Sequence, residues 1–335
     1  MDSSRSTSLA AAGDTHPKIG WIGLGSMGLA MASNLQNHLS RIGAPPLRFY
    51  NRTETRGQPI LDIGGIHCAS IEDLIIDVDI CFIAVSDDAA VTSIMNSILA
   101  ADPLHEKIIA DTSTVHPDIS SWARRELALK GAEFVAAPVF GASPVAREGR
   151  LLFVIAGADE AVRAIEPFLE GVMARKTLHL GADVTKASLL KTTGNFLTAG
   201  MMELVAEAQV FAEKTGLGSD VLESLIQEQY GSLPFSMSKR MTEGSYLPKL
   251  GERPWSDLQL ALKDVGLGAS CAERVGANLP IANLVLKHLG EARQYGQATQ
   301  RALDSSSMYG VLRQHAGLDF ESDLVKERDS GSNIN

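Results

Sequence analysis

Metal-binding spacings, long apolar runs and a basic excess are all missing from this chain of 335 residues. Its three cysteines, Cys68, Cys81 and Cys271, are odd in number and lie within or beside apolar runs. They read as reduced core thiols of an intracellular protein, not as a disulfide framework. None of the eight histidines falls into an H-x-H or H-E-x-x-H spacing, and no C-x-x-C occurs, so no bound metal is expected. No stretch reaches the roughly 18 apolar residues that a spanning helix needs, so a soluble protein with no membrane partner is expected. Acids outnumber bases 40 to 30, giving a formal net charge of −10, which argues against a nucleic-acid surface. Small molecules are the expected partners.

What is present is ample core material. Apolar residues make up 45% of the chain and charged residues 21%, the balance of a globular protein, and the length suits two domains. Residues 1–16 are rich in Ser, Ala and Thr but carry two acids and only one arginine, which is poor for a transit peptide. They are expected to form a disordered tail on a cytoplasmic protein. The polar stretch 321–335 is expected to be a second disordered tail.

Between residues 17 and 182, β-branched runs alternate with helical patterns. "KIGWIG", "LRFYN", "DICFIAV", "KIIADTS", "AEFVAA" and "LLFVIAG" are strand candidates, and 26–40, 88–100, 117–130 and 159–170 carry apolar residues at helical spacing. That alternation predicts βαβ units and a mostly parallel sheet. After "HLGAD" the pattern turns helical throughout 183–320. Asp183 and Thr185 are N-cap candidates, and apart from isolated Gly194 and Gly200 nothing breaks the helix until Gly216 and Gly218. Such a helix of 184–215 is about 48 Å long at 1.5 Å per residue and should bridge two domains. Segments 219–229, 257–276, 281–295 and 299–314 complete an all-α second domain.

"KIGWIGLGSMG" runs a strand into Gly23-x-Gly25-x-x-Gly28 at the start of a helix, the arrangement that holds a dinucleotide pyrophosphate. Gly23 permits the tight turn, Gly25 admits the phosphates, Gly28 lets helix and sheet pack closely, and Leu24, Ser26 and Met27 complete the loop. At the end of the second strand an NAD site expects an acid for the ribose hydroxyls. Asn51, Arg52 and Thr53 stand there instead, a set suited to a 2′-phosphate, so NADP(H) is the preferred cofactor over NAD(H).

These residues resemble the β-hydroxyacid dehydrogenase family, which includes 3-hydroxyisobutyrate dehydrogenases and glyoxylate or succinic semialdehyde reductases. The resemblance runs from Lys18 to about Phe320 and is carried by "GLGSMGLAMASNL", "DTSTVHP", "APVFGASPVAREGRL", "KTTGN" and "LKDVGLG" in that order. It implies an α/β Rossmann-type N-terminal domain joined by a long helix to an all-α C-terminal domain, and a homodimer formed through the helical domains. It also implies that Lys191 is the catalytic lysine and Asn195 its substrate-orienting neighbour. Ser113 would lie beside the nicotinamide and substrate, and Lys263 near the cofactor. The loop at 140–142 would hold a substrate carboxylate. There the chain departs from the usual P-V-S-G-G or P-V-S-G-S. Phe140 replaces the serine and Ala142 follows Gly141, so a more apolar pocket is expected.

Hydride transfer to a carbonyl builds charge on oxygen and needs a proton donor aimed there. Burial and the nearby helix N-terminus should both lower the pKa of Lys191 toward working pH. Asn195, one turn on, can hold the amine or the substrate oxygen. Two rival readings stand beside this one. Imine reductases and reductive aminases share the architecture but carry another residue at the lysine position. A non-catalytic NADPH-binding module would have no need of the lysine. Residues 230–241 are a further candidate for the pocket wall.

Overall fold

The computed structural model describes residues 16–331; the expected N-terminal tail therefore lies almost wholly outside the described residues. Six short strands, β1 (Ile19–Ile22), β2 (Arg48–Tyr50), β3 (Ile66–His67), β4 (Ile80–Ile83), β5 (Ile108–Asp111) and β6 (Glu133–Ala136), pair in parallel in the order β3-β2-β1-β4-β5-β6. This is the doubly wound dinucleotide-binding order, with the reversal between β1 and β4. Alternate residues of one strand serve opposite cores. Ile80 and Phe82 face one apolar cluster with Trp21 and Leu35, whereas Cys81 and Ile83 face the other with Leu74 and Met95. Burial on both faces is why these strands read as continuous apolar runs.

The connecting helices are α1 (Ser26–Ile42), α2 (Gln58–Leu61), α3 (Ile71–Asp77), α4 (Asp88–Ala100) and α5 (Pro117–Ala128). A three-stranded sheet follows, built from β7 (Val139–Phe140), β8 (Leu151–Ile155) and β9 (Ala174–His179), with α6 (Ser143–Arg147) and α7 (Asp159–Ile165) in its connections. "LLFVIAG" thus belongs to a second sheet, antiparallel to β7 and parallel to β9, and meets β6 only through the Ala136–Ala156 bridge.

Helix α8 (Val184–Thr215) has the predicted bounds. Asp183 caps its first turn by accepting from the Thr185 N–H at 3.1 Å, and Gly216 ends it in the left-handed region. Val184 and Ala187 are buried in the nucleotide-domain core, while Met202, Val205, Ala206 and Val210 are buried in the helical-domain core. The helix is the bridge, and residues 191–195 lie where it passes from one core to the other. Around it stand α9 (Ser219–Tyr230), α10 (Ser232–Thr242), α11 (Leu258–Arg274), α12 (Pro280–Thr299), α13 (Met308–His315) and α14 (Asp323–Gly331).

Two expectations need correction. The predicted helix at 299–314 is the end of α12 plus α13, separated where Gln300 turns left-handed and Asp304 caps Ser306. The supposed C-terminal tail carries α14, anchored by fully buried Val325, by Arg328 on the Gly244 and Leu247 carbonyls, and by Asp329 paired with Arg301. A polar sequence can be ordered by such pairing even with one apolar anchor. Residues 230–241 take in the end of α9, Gly231 and most of α10, whose Ser238 accepts from Gln209 at 2.6 Å. Residue 209 lies 18 positions beyond Lys191, about 27 Å along the helix, and Arg240 of α10 pairs with Asp304, which also accepts from the Ser256 N–H just before α11.

Candidate active site

The glycine turn fits a dinucleotide. Gly23 has φ +97°, and a Cβ there would lie 2.3 Å from the Ala84 carbonyl oxygen. A Cβ on Gly28 would lie 2.2 Å from the Gly23 carbonyl oxygen, so only glycine lets α1 start this close to the sheet. A Cβ on Gly25 would meet nothing within 4 Å, which leaves open space where a pyrophosphate would approach. The first turn of α1 has no side-chain cap and no acid, so its free N–H groups at Ser26 and Met27 can face an anion. Leu24 is different: its side chain is buried and its N–H is donated to Asn51 Oδ1 at 2.8 Å.

Asn51 is therefore a brace between β2 and the turn, with its Nδ2 donated to the Thr53 carbonyl at 2.7 Å. Arg52 and Thr53 are exposed beside it, and the Arg52 guanidinium has no hydrogen-bond or ion-pair partner among the described residues. Ser113 is buried on the loop after β5. Its hydroxyl accepts from the Val85 N–H at 3.0 Å, and its own N–H is donated to Asp111 at 2.9 Å. Burial pushes the Asp111 carboxyl up to about 6, against the Ser113 hydrogen bonds that favour its charge.

At the domain junction Lys191 is only 8% exposed and donates from Nζ to Asn195 Oδ1 at 3.0 Å. Asn195 in turn donates from Nδ2 to Asp264 Oδ2 at 2.8 Å. Because a carboxylate only accepts, Asp264 fixes the amide with its oxygen toward the lysine. Lys263 closes the chain, pairing with Asp264 at 2.8 Å and donating to the Thr114 carbonyl at 2.6 Å. One hydrogen-bonded row thus joins α8, α11 and the loop after β5. Helices α8 and α11 can meet here because Gly268 presents no side chain, its missing Cβ being 3.2 Å from the Thr192 carbonyl oxygen.

Burial lowers the Lys191 pKa to about 8; Asp264 pulls it back up, and Lys263 presses it further down. The expected help from the helix dipole is the weaker part of the sequence reading. Lys191 sits about two turns into α8, and that field fades beyond the first turn.

Phe140 closes one side. Its ring centroid is 4.4 Å from Lys191 Nζ, a cation–π distance. The ring also fills the gap at Gly194, where a Cβ would lie 2.3 Å from Phe140 Cζ. Gly141 follows at φ +132° and Ala142 serves as the N-cap of α6.

Residues 18–181 match the family described as the NAD binding domain of 6-phosphogluconate dehydrogenase. Residues 185–312 match the one described as NAD-binding of NADP-dependent 3-hydroxyisobutyrate dehydrogenase. An NADH-dependent oxidoreductase, ucdB, from Aspergillus ustus is 30% identical over 297 residues, covering 88% of this chain and 98% of that one. The chain belongs to the β-hydroxyacid dehydrogenase family. As a member it is an NAD(P)-dependent oxidoreductase acting on CH–OH groups. The structure of Mycobacterium tuberculosis 3-hydroxyisobutyrate dehydrogenase with L-serine superposes with a TM-score of 0.73 at 24% identity, covering 89% of this chain and 99% of that one. A reductive aminase from Aspergillus terreus in complex with NADPH and ethyl-5-oxohexanoate has the related fold at TM-score 0.52 and 20% identity, covering 88% of this chain and 98% of that one.

Within this family frame the structure brings together Lys191, Asn195, Lys263 and Phe140, and places Gly23, Gly25, Gly28, Asn51 and Arg52 at the ends of β1 and β2. Asp264 and Thr114 are the polar members that sequence reasoning missed. Asp264 follows Lys263 in "LKD", a charged pair amid the apolar positions of α11, and that was the available signal. Among the described residues no helix is long and apolar enough to cross a membrane, and no cluster of His, Cys, Asp or Glu could hold a metal.

Proposed function

We propose that this protein reversibly reduces a carbonyl compound with NADP(H), Lys191 acting as general acid and, in the oxidising direction, as general base. The observation that carries the proposal is the buried Lys191 amine, held by Asn195 and poised near pH 8 at the domain junction. The glycine turn and the α1 N-terminus would hold the cofactor pyrophosphate, and the nicotinamide, when bound, supplies or takes the hydride. As charge grows on the substrate oxygen, Lys191 hands over a proton from Nζ. Asn195 keeps that amine aimed, and Asp264 keeps the Asn195 amide from flipping. Ser113, on the loop that also receives Lys263, closes the nicotinamide side.

Arg52 supports the 2′-phosphate cofactor, because it is exposed, has no partner among the described residues, and stands with Asn51 and Thr53 where an NAD site carries its acid. A fungal relative is named for NADH, so the 2′-phosphate preference read from Arg52 needs its own binding test. The retained lysine supports carbonyl reduction over imine reduction or cofactor binding alone. A homodimer is supported by α8, where Leu197, Leu204 and Phe211 recur every seventh residue at 61%, 61% and 68% exposure. An apolar stripe of that period on a long helix suits a second copy. Sizing chromatography should show the dimer; a monomer alone overturns it.

Lys191→Ala tests the chemistry. Turnover should fall by about 10²–10⁴-fold while NADPH binding is kept, whereas undiminished turnover would remove Lys191 from the mechanism.

A further inference from the structure

Each of the two lysines at the domain junction already has partners. Lys263 is held between Asp264 and the Thr114 carbonyl, and Lys191 between the Asn195 carbonyl and the Phe140 ring. Acids outnumber them, since the charge of Lys263 acts on the carboxylates of Asp87 and Asp111 as well as on its neighbour Asp264. A substrate carboxylate entering here would meet an acidic excess, with the lysine charges already engaged by Asp264, Asn195 and the Phe140 ring. On the side that Phe140 covers it would have to displace an aromatic ring from an ammonium group, exchanging a desolvated contact for one that costs the anion its water.

The backbone that carries the ring is held in place. Phe140 belongs to β7, paired with β8 through Val139–Phe153 and Phe140–Leu152, so its backbone is fixed by the second sheet. Its tip occupies the space left by Gly194, one residue before Asn195 on α8. A side chain at 194 and the Phe140 ring in this position exclude each other. Gly194 and Phe140 therefore form one device: the glycine makes the seat, and the ring fills it and covers one side of Lys191.

We infer that Phe140, seated on Gly194, determines specificity by filling the space beside Lys191 with apolar surface, so that uncharged aldehydes or ketones are preferred over their carboxylate-bearing counterparts. This inference rests on the carbonyl-reductase reading and narrows it to a substrate class. Gly141 and Ala142, at the edge of the same loop, then face an uncharged part of the substrate. Lys191 stays available on the side the ring leaves open.

The test is a matched pair of aldehydes, succinic semialdehyde and its methyl ester, assayed by cofactor oxidation with the full-length protein. The wild type should favour the ester by at least about tenfold in kcat/KM, and Phe140→Ser should reduce that ratio by about tenfold or more, mainly by raising activity on the acid. Gly194→Ala should lower activity on the ester in the wild type and have little further effect in the Phe140→Ser background, because the displaced ring is then absent. Thermal unfolding of each variant separates loss of fold from loss of preference, and Phe140→Leu, which keeps an apolar side chain, should keep the ester preference. A wild type that prefers the acid, a ratio unmoved by Phe140→Ser, or additive effects at 140 and 194 would each overturn the inference. Lys191→Ala distinguishes the two levels. If it abolishes turnover of both aldehydes while their ratio goes against the expectation, only the substrate class falls. If it leaves turnover intact, the reductase reading falls.

Discussion

The turn at Gly23–Gly28 and the loop at Phe140–Ala142 both end a strand and both use a glycine of positive φ, +97° at Gly23 and +132° at Gly141. They differ in what surrounds them. Around Gly23 and Gly28 the obstacles are backbone carbonyl oxygens, which cannot move without moving the sheet. Around Gly141 the nearest obstacle is the tip of the Leu151 side chain, and beside it a ring sits on a glycine of a different helix. The cofactor turn is thus specified by main-chain geometry common to every substrate, whereas the substrate loop is specified by exchangeable side chains. Chemistry can stay constant at the first while selectivity drifts at the second.

Substitutions should show that contrast. Gly23→Ala forces a β-carbon into the Ala84 carbonyl and should cost about 1–3 kcal/mol from backbone strain alone, with loss of binding for both cofactors in a fluorescence titration. A fully stable variant that still binds them would show that the turn is no more constrained than the loop. Arg52→Ala should weaken NADPH binding by about 10–100-fold, the worth of a charged hydrogen bond to phosphate, and leave NADH binding nearly unchanged. Equal weakening of both would assign Arg52 to the general surface. Asp264→Asn should lower kcat by only about 3–10-fold with cofactor affinity kept. Because the Asp264 charge raises the Lys191 pKa, its removal should also move the break in the pH profile of reduction to lower pH. An unshifted break would mean that Asp264 merely packs.

Much of this was legible in the sequence because it is local. The strands β1, β4 and β5 are apolar runs buried on both faces, and α8 is bounded by Asp183 and Gly216, so pattern and punctuation sufficed. Strand β9 reads "ARKTLH" and buries only Ala174 and Thr177, too sparse a pattern to stand out. Helix α14 is ordered by arginine contacts to distant carbonyls and an aspartate, which no local periodicity announces. Within the site, Lys191 and Asn195 share one helix face and could be paired from spacing alone. Their tie to Asp264 depends on how α11 crosses α8 at Gly268, and the contact of Phe140 with Gly194 depends on how the second sheet meets the bridging helix. Both are long-range packing results.

The role of Lys191 is the centre of the account, and its most direct test is the pH dependence of the reductive kcat/KM from about pH 6 to about pH 10. A lysine whose folded pKa is depressed to about 8 is a competent acid below that pH and loses its proton above it. Reduction should therefore be level on the acid side and fall about tenfold per pH unit beyond the break. The oxidising direction should show the mirror image, rising to a plateau. The residual activity of Lys191→Ala should lack the break altogether. A break near pH 8 that survives in Lys191→Ala would contradict the assignment and place the proton on another group.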